Sequence, residues 1–134
     1  MTDVEFALKA AQIELGLRSH ELITRETSME DLQLSNDYYV ENNISITGRI
    51  DDARFIVITG FYSDNDIKVN TMFSYNNNEL IYQYVNAHII GKTKFNYPIY
   101  AFQGTPYHIS FENVTKKTKI KILGKTIEPR NFPC

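Results

Sequence analysis

Apolar positions along residues 4 to 17 recur at helical spacing. Phe6, Ala10, Ile13 and Leu17 fall at i, i+4, i+7 and i+11, and Val4, Leu8, Ala11 and Leu15 form a second stripe on the opposite side. Thr2, with Glu5 three residues on, makes a capping pair. The pattern predicts a helix over Asp3 to Leu15, covered on both faces. Gly16 then interrupts it, since glycine weakens a helix interior by about 1 kcal/mol relative to alanine.

From Tyr38 the period changes to two. In "YYVENNISITGRI" Ile44 and Ile46 alternate with Ser45 and Thr47, and "RFIVITGFY" and "IKVNTMFSY" follow, separated by "DDA" and "SDND". In the last run Ile67, Val69, Thr71, Phe73 and Tyr75 share one face while Lys68, Asn70 and Ser74 share the other. These segments predict a three-stranded antiparallel meander, with "SDND" as a hairpin turn; it lacks the glycine and distal glutamate of a calcium loop.

The stretch "SYNNNELIYQYVNAHIIGK" admits two periods. As a strand it sets Leu80, Tyr82, Tyr84, Asn86, His88 and Ile90 on one side, with neither side cleanly polar. As a helix it aligns Leu80, Ile81, Tyr84, Val85, His88 and Ile89, with Asn78 placed to cap the start and Gly91 the end. The caps favour a helix over Glu79 to Ile90, with Asn76 to Asn78 as turn and cap residues. Tyr82 and Tyr84 then read as core or subunit-interface residues in preference to a sugar or base platform, and His88 as a packing histidine.

"YPIYAF", "PYHISFENV" and "TKIKILGKTI" read as extended. In the last, Lys117, Lys119 and Lys121 face away from Thr118, Ile120 and Ile122, the pattern of an exposed sheet edge guarded by charge. The resulting fold class is α+β in a single domain, residues 1–134. It has an N-terminal helix, an antiparallel sheet of about five to seven strands, and a second short helix near residues 79–90.

Composition narrows function mainly by exclusion. With 43% hydrophobic and 22% charged residues the chain has the makings of a packed core. No apolar run approaches the ~18 residues of a membrane helix and the N-terminus lacks a signal-peptide pattern, so a cytosolic location is expected. Cys134 is the sole cysteine, which excludes an intrachain disulfide and a thiolate metal site; no cofactor is expected. The sequons at Asn43 and Asn113 matter only in a secreted chain. Charge is unevenly spread: residues 1–66 hold 13 acids and 5 bases (net −8), residues 67–134 hold 3 acids and 9 bases (net +6). Such a chain either interleaves its halves or offers an acidic and a basic face to partners, and a homo-oligomer is expected.

Chemical motifs are sparse. There is no phosphate-binding glycine loop, "HExxH", nucleophile elbow or RNA-binding aromatic signature. His20, His88, His108, Glu112 and the pair Asp51/Asp52 are the groups able to do acid–base work, and a His20/His108 pair could in principle cleave RNA. Their spacing follows no pattern, so a non-enzymatic protein is favoured. Nucleic acid is a disfavoured partner for a net-acidic chain, despite the lysine strip.

The run of strands followed by "LIYQYVNAHIIGKT" and "FNYPIYAF" resembles the SecB family of export chaperones, with Tyr82, Tyr84, Ala87, Ile89, Thr93 and Pro98 in comparable places. The resemblance implies a tetrameric holdase, free of cofactor and chemistry, that catches unfolded chains in apolar grooves between sheet and helix. The expected function is thus a cytosolic protein-binding module for a protein partner or unfolded polypeptide, with Phe61, Met72, Phe73, Tyr75, Tyr82 and Tyr84 as its binding residues. A dedicated inhibitor or immunity-type protein, a small nuclease and a nucleic-acid binder are the alternatives.

Overall fold

The computed structural model describes residues 3–51, 53–76 and 80–130, with side chains described from Glu5 onward except at residues 52 and 75–81. The helix α1 spans Asp3–Leu15, as its periodicity predicts. Seven strands follow: β1 (Leu22–Glu26), β2 (Tyr38–Val40), β3 (Ile44–Arg49), β4 (Phe55–Asn76), β5 (Leu80–Phe102), β6 (Pro106–Glu112) and β7 (Thr118–Pro129). All pairings are antiparallel, in the order β1-β7-β4-β6-β3, with β5 along β4 and β2 beside the start of β7.

The expected α+β class is corrected to a β-rich one, with 63% of residues in strands and 15% helical. The expected second helix near residues 79–90 is β-strand, because Leu80 to Ile89 pair residue by residue with Asn76 to Ile67 of β4. The β-branched and aromatic side chains of this run suit a pleated surface, and a paired partner strand outweighs weak capping signals. Asn78 lies outside the described residues. Gly91 does adopt a positive φ of 59°, but at an irregularity in β5 opposite Ser63. A strand irregularity and a helix C-terminus ask for the same left-handed backbone, which makes glycine an ambiguous sign.

The expected meander is corrected as well. "RFIVITGFY" and "IKVNTMFSY" belong to one strand, β4, and β3 pairs with β6 instead of β4. "SDND" is no hairpin turn but a bulge: three residues of β4, Asp64 to Asp66, stand opposite Ile90 alone. Side chains fix this bend. Asn65 Nδ2 donates to Lys117 O (3.3 Å) and Thr118 Oγ1 (3.0 Å), and Lys119 N donates to Asp64 Oδ1 (2.9 Å).

The bend divides the β4–β5 hairpin between two layers. Phe55 to Ser63 join β7, β1 and the later half of β5 in a first layer, while Lys68 to Phe73 join β6, β3 and the earlier half of β5 in a second. Ile56, Ile58 and Phe61 from one half and Ile67, Val69 and Phe73 from the other enter a single core cluster with β6 and β7 residues such as Phe111 and Ile120. Phe61 meets Phe111 edge-on at 6.0 Å. Gln83 spans the layers: its Nε2 donates to Tyr100 O (2.7 Å) and its Oε1 accepts from Tyr100 N (2.9 Å).

Helix α1 packs on the outer surface of the first layer, where Ala7 and Ala11 lie against Leu22, Phe55, Val57 and Ile127. It is covered on one face only, since Ile13 is 80% exposed and Phe6 half-exposed. β7 is an interior strand, flanked by β4 on one side and by β1 and β2 on the other, so its lysines do not guard an edge. Among the described residues no helix is long and apolar enough to cross a membrane.

Candidate functional site

Strand alternation on the second layer turns Ile67, Val69, Thr71 and Phe73 inward and the residues between them outward. Register then assembles an outer face across four strands. Met72 pairs with Tyr84 on one side and His108 on the other, and His108 with Thr47. The next row runs Asn86, Asn70, Ser110, Ser45, and the row beyond it His88, Lys68, Glu112. Tyr82 and Tyr84 stand at the β5 side of this face, 49% and 69% exposed, their rings stacked at 6.2 Å and 29°.

The middle of the face is uncharged and hydrogen-bonded within itself. Ser110 Oγ lies 3.0 Å from Ser45 Oγ and 3.1 Å from His108 Nε2. Charges sit at its ends: His88 Nδ1 is 3.6 Å from Asp66 Oδ1 at one, and at the other Arg49, two residues beyond Thr47 on β3, donates to Gly104 O (3.1 Å). At the β3–β6 corner a depression of about 290 Å³ is lined by Asn43, Ser45, Ser110, Glu112 and Asn113 among others. The span from β5 to β3 is three strand spacings, about 14 Å. The face can therefore stack an apolar surface on two phenol rings and hydrogen-bond polar groups across several side chains.

The sequence-predicted binding residues divide. Met72, Tyr82 and Tyr84 share this face, whereas Phe61 and Phe73 are fully buried in the core and cannot touch a partner. Tyr75 pairs with Ile81 in the β4–β5 register, and its side chain is outside the described set. Tyr82 and Tyr84 are surface residues, which overturns the core half of the core-or-interface reading. Asn70, Asn86, Ser45, Thr47, His108 and Ser110 were missed as a group. The alternation Tyr82, Tyr84, Asn86, His88 was the available signal, and the register that adds β3 and β6 to it is tertiary information.

Of the candidate acid–base groups, His88, His108 and Glu112 share the outer face in separate rows, with Lys68 between His88 and Glu112, whereas His20 and Asp51 lie elsewhere. His20 lies in a 3-10 turn before β1, near Arg130, whose Nε donates to its carbonyl (3.0 Å). His108 pairs with Met72 toward the far end of β4. Asp51 bonds Arg54 (3.1 Å) and Gln33 (2.8 Å), while Asp52 lies outside the described residues, as does Cys134. Among the described residues no group of three His, Cys, Asp or Glu could hold a metal. Lys117 and Lys119 lie over the Tyr39 ring at 4.8 and 5.8 Å.

A buried ionic cluster elsewhere serves the fold. Arg25 makes a two-pronged bond to Asp31 (2.7 and 2.9 Å) and reaches Glu128 (2.9 Å). Burial by itself would raise the Asp31 carboxyl. The Arg25 hydrogen bonds, the Ser28 N–H, the Arg25 charge and the Thr126 hydroxyl outweigh it and hold the carboxyl below its ordinary range. Tyr107 is pushed up by burial and then by the Asp51 charge, and its hydroxyl donates to Leu32 O at 2.5 Å.

No protein-family model matches the chain, and no curated protein matches it in sequence. Among solved structures it is similar to a "Family 16 Carbohydrate Binding Module-2", at 6% identity and a TM-score of 0.36 over 76% of this chain and 84% of that one. It is also similar to a ruminal GH26 endo-beta-1,4-mannanase, at 14% identity and a TM-score of 0.27; the match spans 72% of this chain and 19% of that one. The fold itself corrects the chaperone-like α+β expectation: the molecule is β-rich, and the helix that expectation required is the strand β5.

Proposed function

We propose that the protein is a non-enzymatic binding module whose outer second-layer face takes a neutral, polyhydroxylated ligand of oligosaccharide length. The observation that carries it is the stacked, exposed pair Tyr82/Tyr84 beside rows of short uncharged hydrogen-bonding side chains. A sugar ring has an apolar C–H face and a rim of hydroxyls. Phenol rings match the first and Asn, Ser, Thr and His the second. The absence of Lys and Arg from the middle rows favours a neutral ligand over a phosphate-bearing one. A face of about 14 Å accepts more than one ring.

Affinity electrophoresis through gels containing neutral polysaccharides tests this. Retardation by at least one, abolished in Y82A/Y84A with the fold intact, is the expected result. A chain that migrates unretarded in every gel yet captures one folded protein through Tyr82 and Tyr84 would replace the sugar by a protein partner.

A further inference from the structure

On the outer surface of the first layer, beyond the end of α1, lies a groove of about 840 Å³ that the second-layer face does not share. Val57, Pro98 and Leu123 contribute its apolar lining, and Lys92, Lys94, Lys125 and Glu26 its charged lining. Lys125 is ion-paired with Glu26. Among the described residues neither Lys92 nor Lys94 has an acidic partner. The register crowds a further cation beside them: Tyr62 pairs with Lys92 on one side and Lys121 on the other. Two residues apart on one strand, the Lys92 and Lys94 side chains leave on the same face about 7 Å apart. Like charges held this close to apolar surface repel each other, and an anion set between them relieves that repulsion.

We propose that this groove is a second binding site, for a single-chain amphiphile whose anionic head sits between Lys92 and Lys94 and whose apolar chain lies over Leu123 and Pro98. Charge complementarity selects the head. The apolar lining selects the chain, at about 0.8 kcal/mol per buried CH₂. A polyphosphate or nucleic acid is a poorer match. Among its described lining residues the groove has no arginine for planar bidentate recognition, and its aromatic ring, Phe95, is partly buried and packed against Phe61 at 5.8 Å.

Amide NMR titration with sodium decanoate below its micelle concentration, against 1-decanol and sodium acetate, tests the site on the wild-type chain. Decanoate is expected to shift Thr59, Lys94 and Leu123. Decanol should bind at least about tenfold more weakly, the worth of a hydrogen bond to a charged group, and acetate not at all. K92Q/K94Q, altering two exposed side chains, should lower decanoate affinity by a similar factor while its spectrum stays folded. Equal binding of decanol and decanoate, shifts confined to the Tyr82/Tyr84 face, or undiminished affinity in K92Q/K94Q each overturns the proposal. None of these outcomes depends on whether the other face binds a sugar.

Discussion

Gln83 shows how much a single side chain can settle. Among the described residues β5 pairs with β4 alone, and on its open side the Gln83 amide bonds both the backbone N–H and the C=O of Tyr100, as a neighbouring strand would. Replacing it by leucine removes both of these bonds. Q83L should lose about 1–3 kcal/mol in urea unfolding; an unchanged midpoint and slope would refute the role. Gly60 is fixed by a different constraint. A Cβ there would lie 1.9 Å from Thr93 O, and backbone does not yield as a side-chain tip would, so G60A should cost about 3 kcal/mol or more. Asp31 ties stability to pH. Its folded pKa lies below the unfolded value near 3.8, so its contribution is fully present above that value and is lost as pH falls through the folded pKa. D31N should therefore destabilise by about 2–4 kcal/mol at pH 7, toward the lower figure because Arg25 keeps Glu128, and much less at pH 2. Urea titrations at the two pH values read the difference.

Among the elements, β4 holds the molecule together. It is paired on both sides along most of its length, to β5 except at two irregularities and to β7 and then β6 opposite. β5 has one neighbour. Amide exchange should accordingly be slowest in β4, at the free energy of global unfolding, and faster by local opening at the outward-directed amides of β5. Tyr100 N–H, held by the Gln83 amide, should lose its protection in Q83L. Uniform exchange along β4 and β5 would contradict this ordering. The strand also explains why its own sequence misleads: paired on one side and covered on one face, it carries tyrosines and a histidine outward and Val85, Ala87 and Ile89 inward. That mixture lacks the clean polar alternation expected of a half-buried strand.

At the scale of the whole molecule, α1 bears on stability and the β5 edge on the predicted self-association. Removing residues 1–17 would uncover Phe55, Val57 and Ile127, all essentially inaccessible, and should cost about 3 kcal/mol or more and raise binding of a hydrophobic dye. From Tyr82 to Ile90 the edge of β5 contains no Lys, Arg, Asp, Glu or Pro, whereas Lys92, Lys94 and Pro98 protect its continuation. An unguarded edge pairs with its own copy in the simplest case, so light scattering at micromolar concentration should read a dimer. The monomer mass at physiological salt would remove self-association from the description.

Local pattern alone determined those elements whose partners do not alter their period. The helix Asp3–Leu15 follows from its 3.6 spacing and the glycine after it. The inward set Ile67, Val69, Thr71 and Phe73 and the outward lysines of β7 follow from alternation of two. What two neighbouring residues do not encode is which distant strand lies beside them. Only tertiary structure made residues 80–90 a strand, because pairing with β4 satisfies a whole row of backbone groups and outweighs the capping residues that favoured a helix. Only tertiary structure joined two expected strands into β4, because the bulge at Asp64–Asp66 is held by residues more than fifty positions away on β7. The candidate site shows the same division. Tyr82, Tyr84 and Met72 were named as binding residues from the sequence, but their separation from Phe61 and Phe73, and their union with Asn70, Ser110, Ser45 and His108, came from the register of four strands. Register depends on which face the core buries, and that is a property of the packed molecule and not of any one segment.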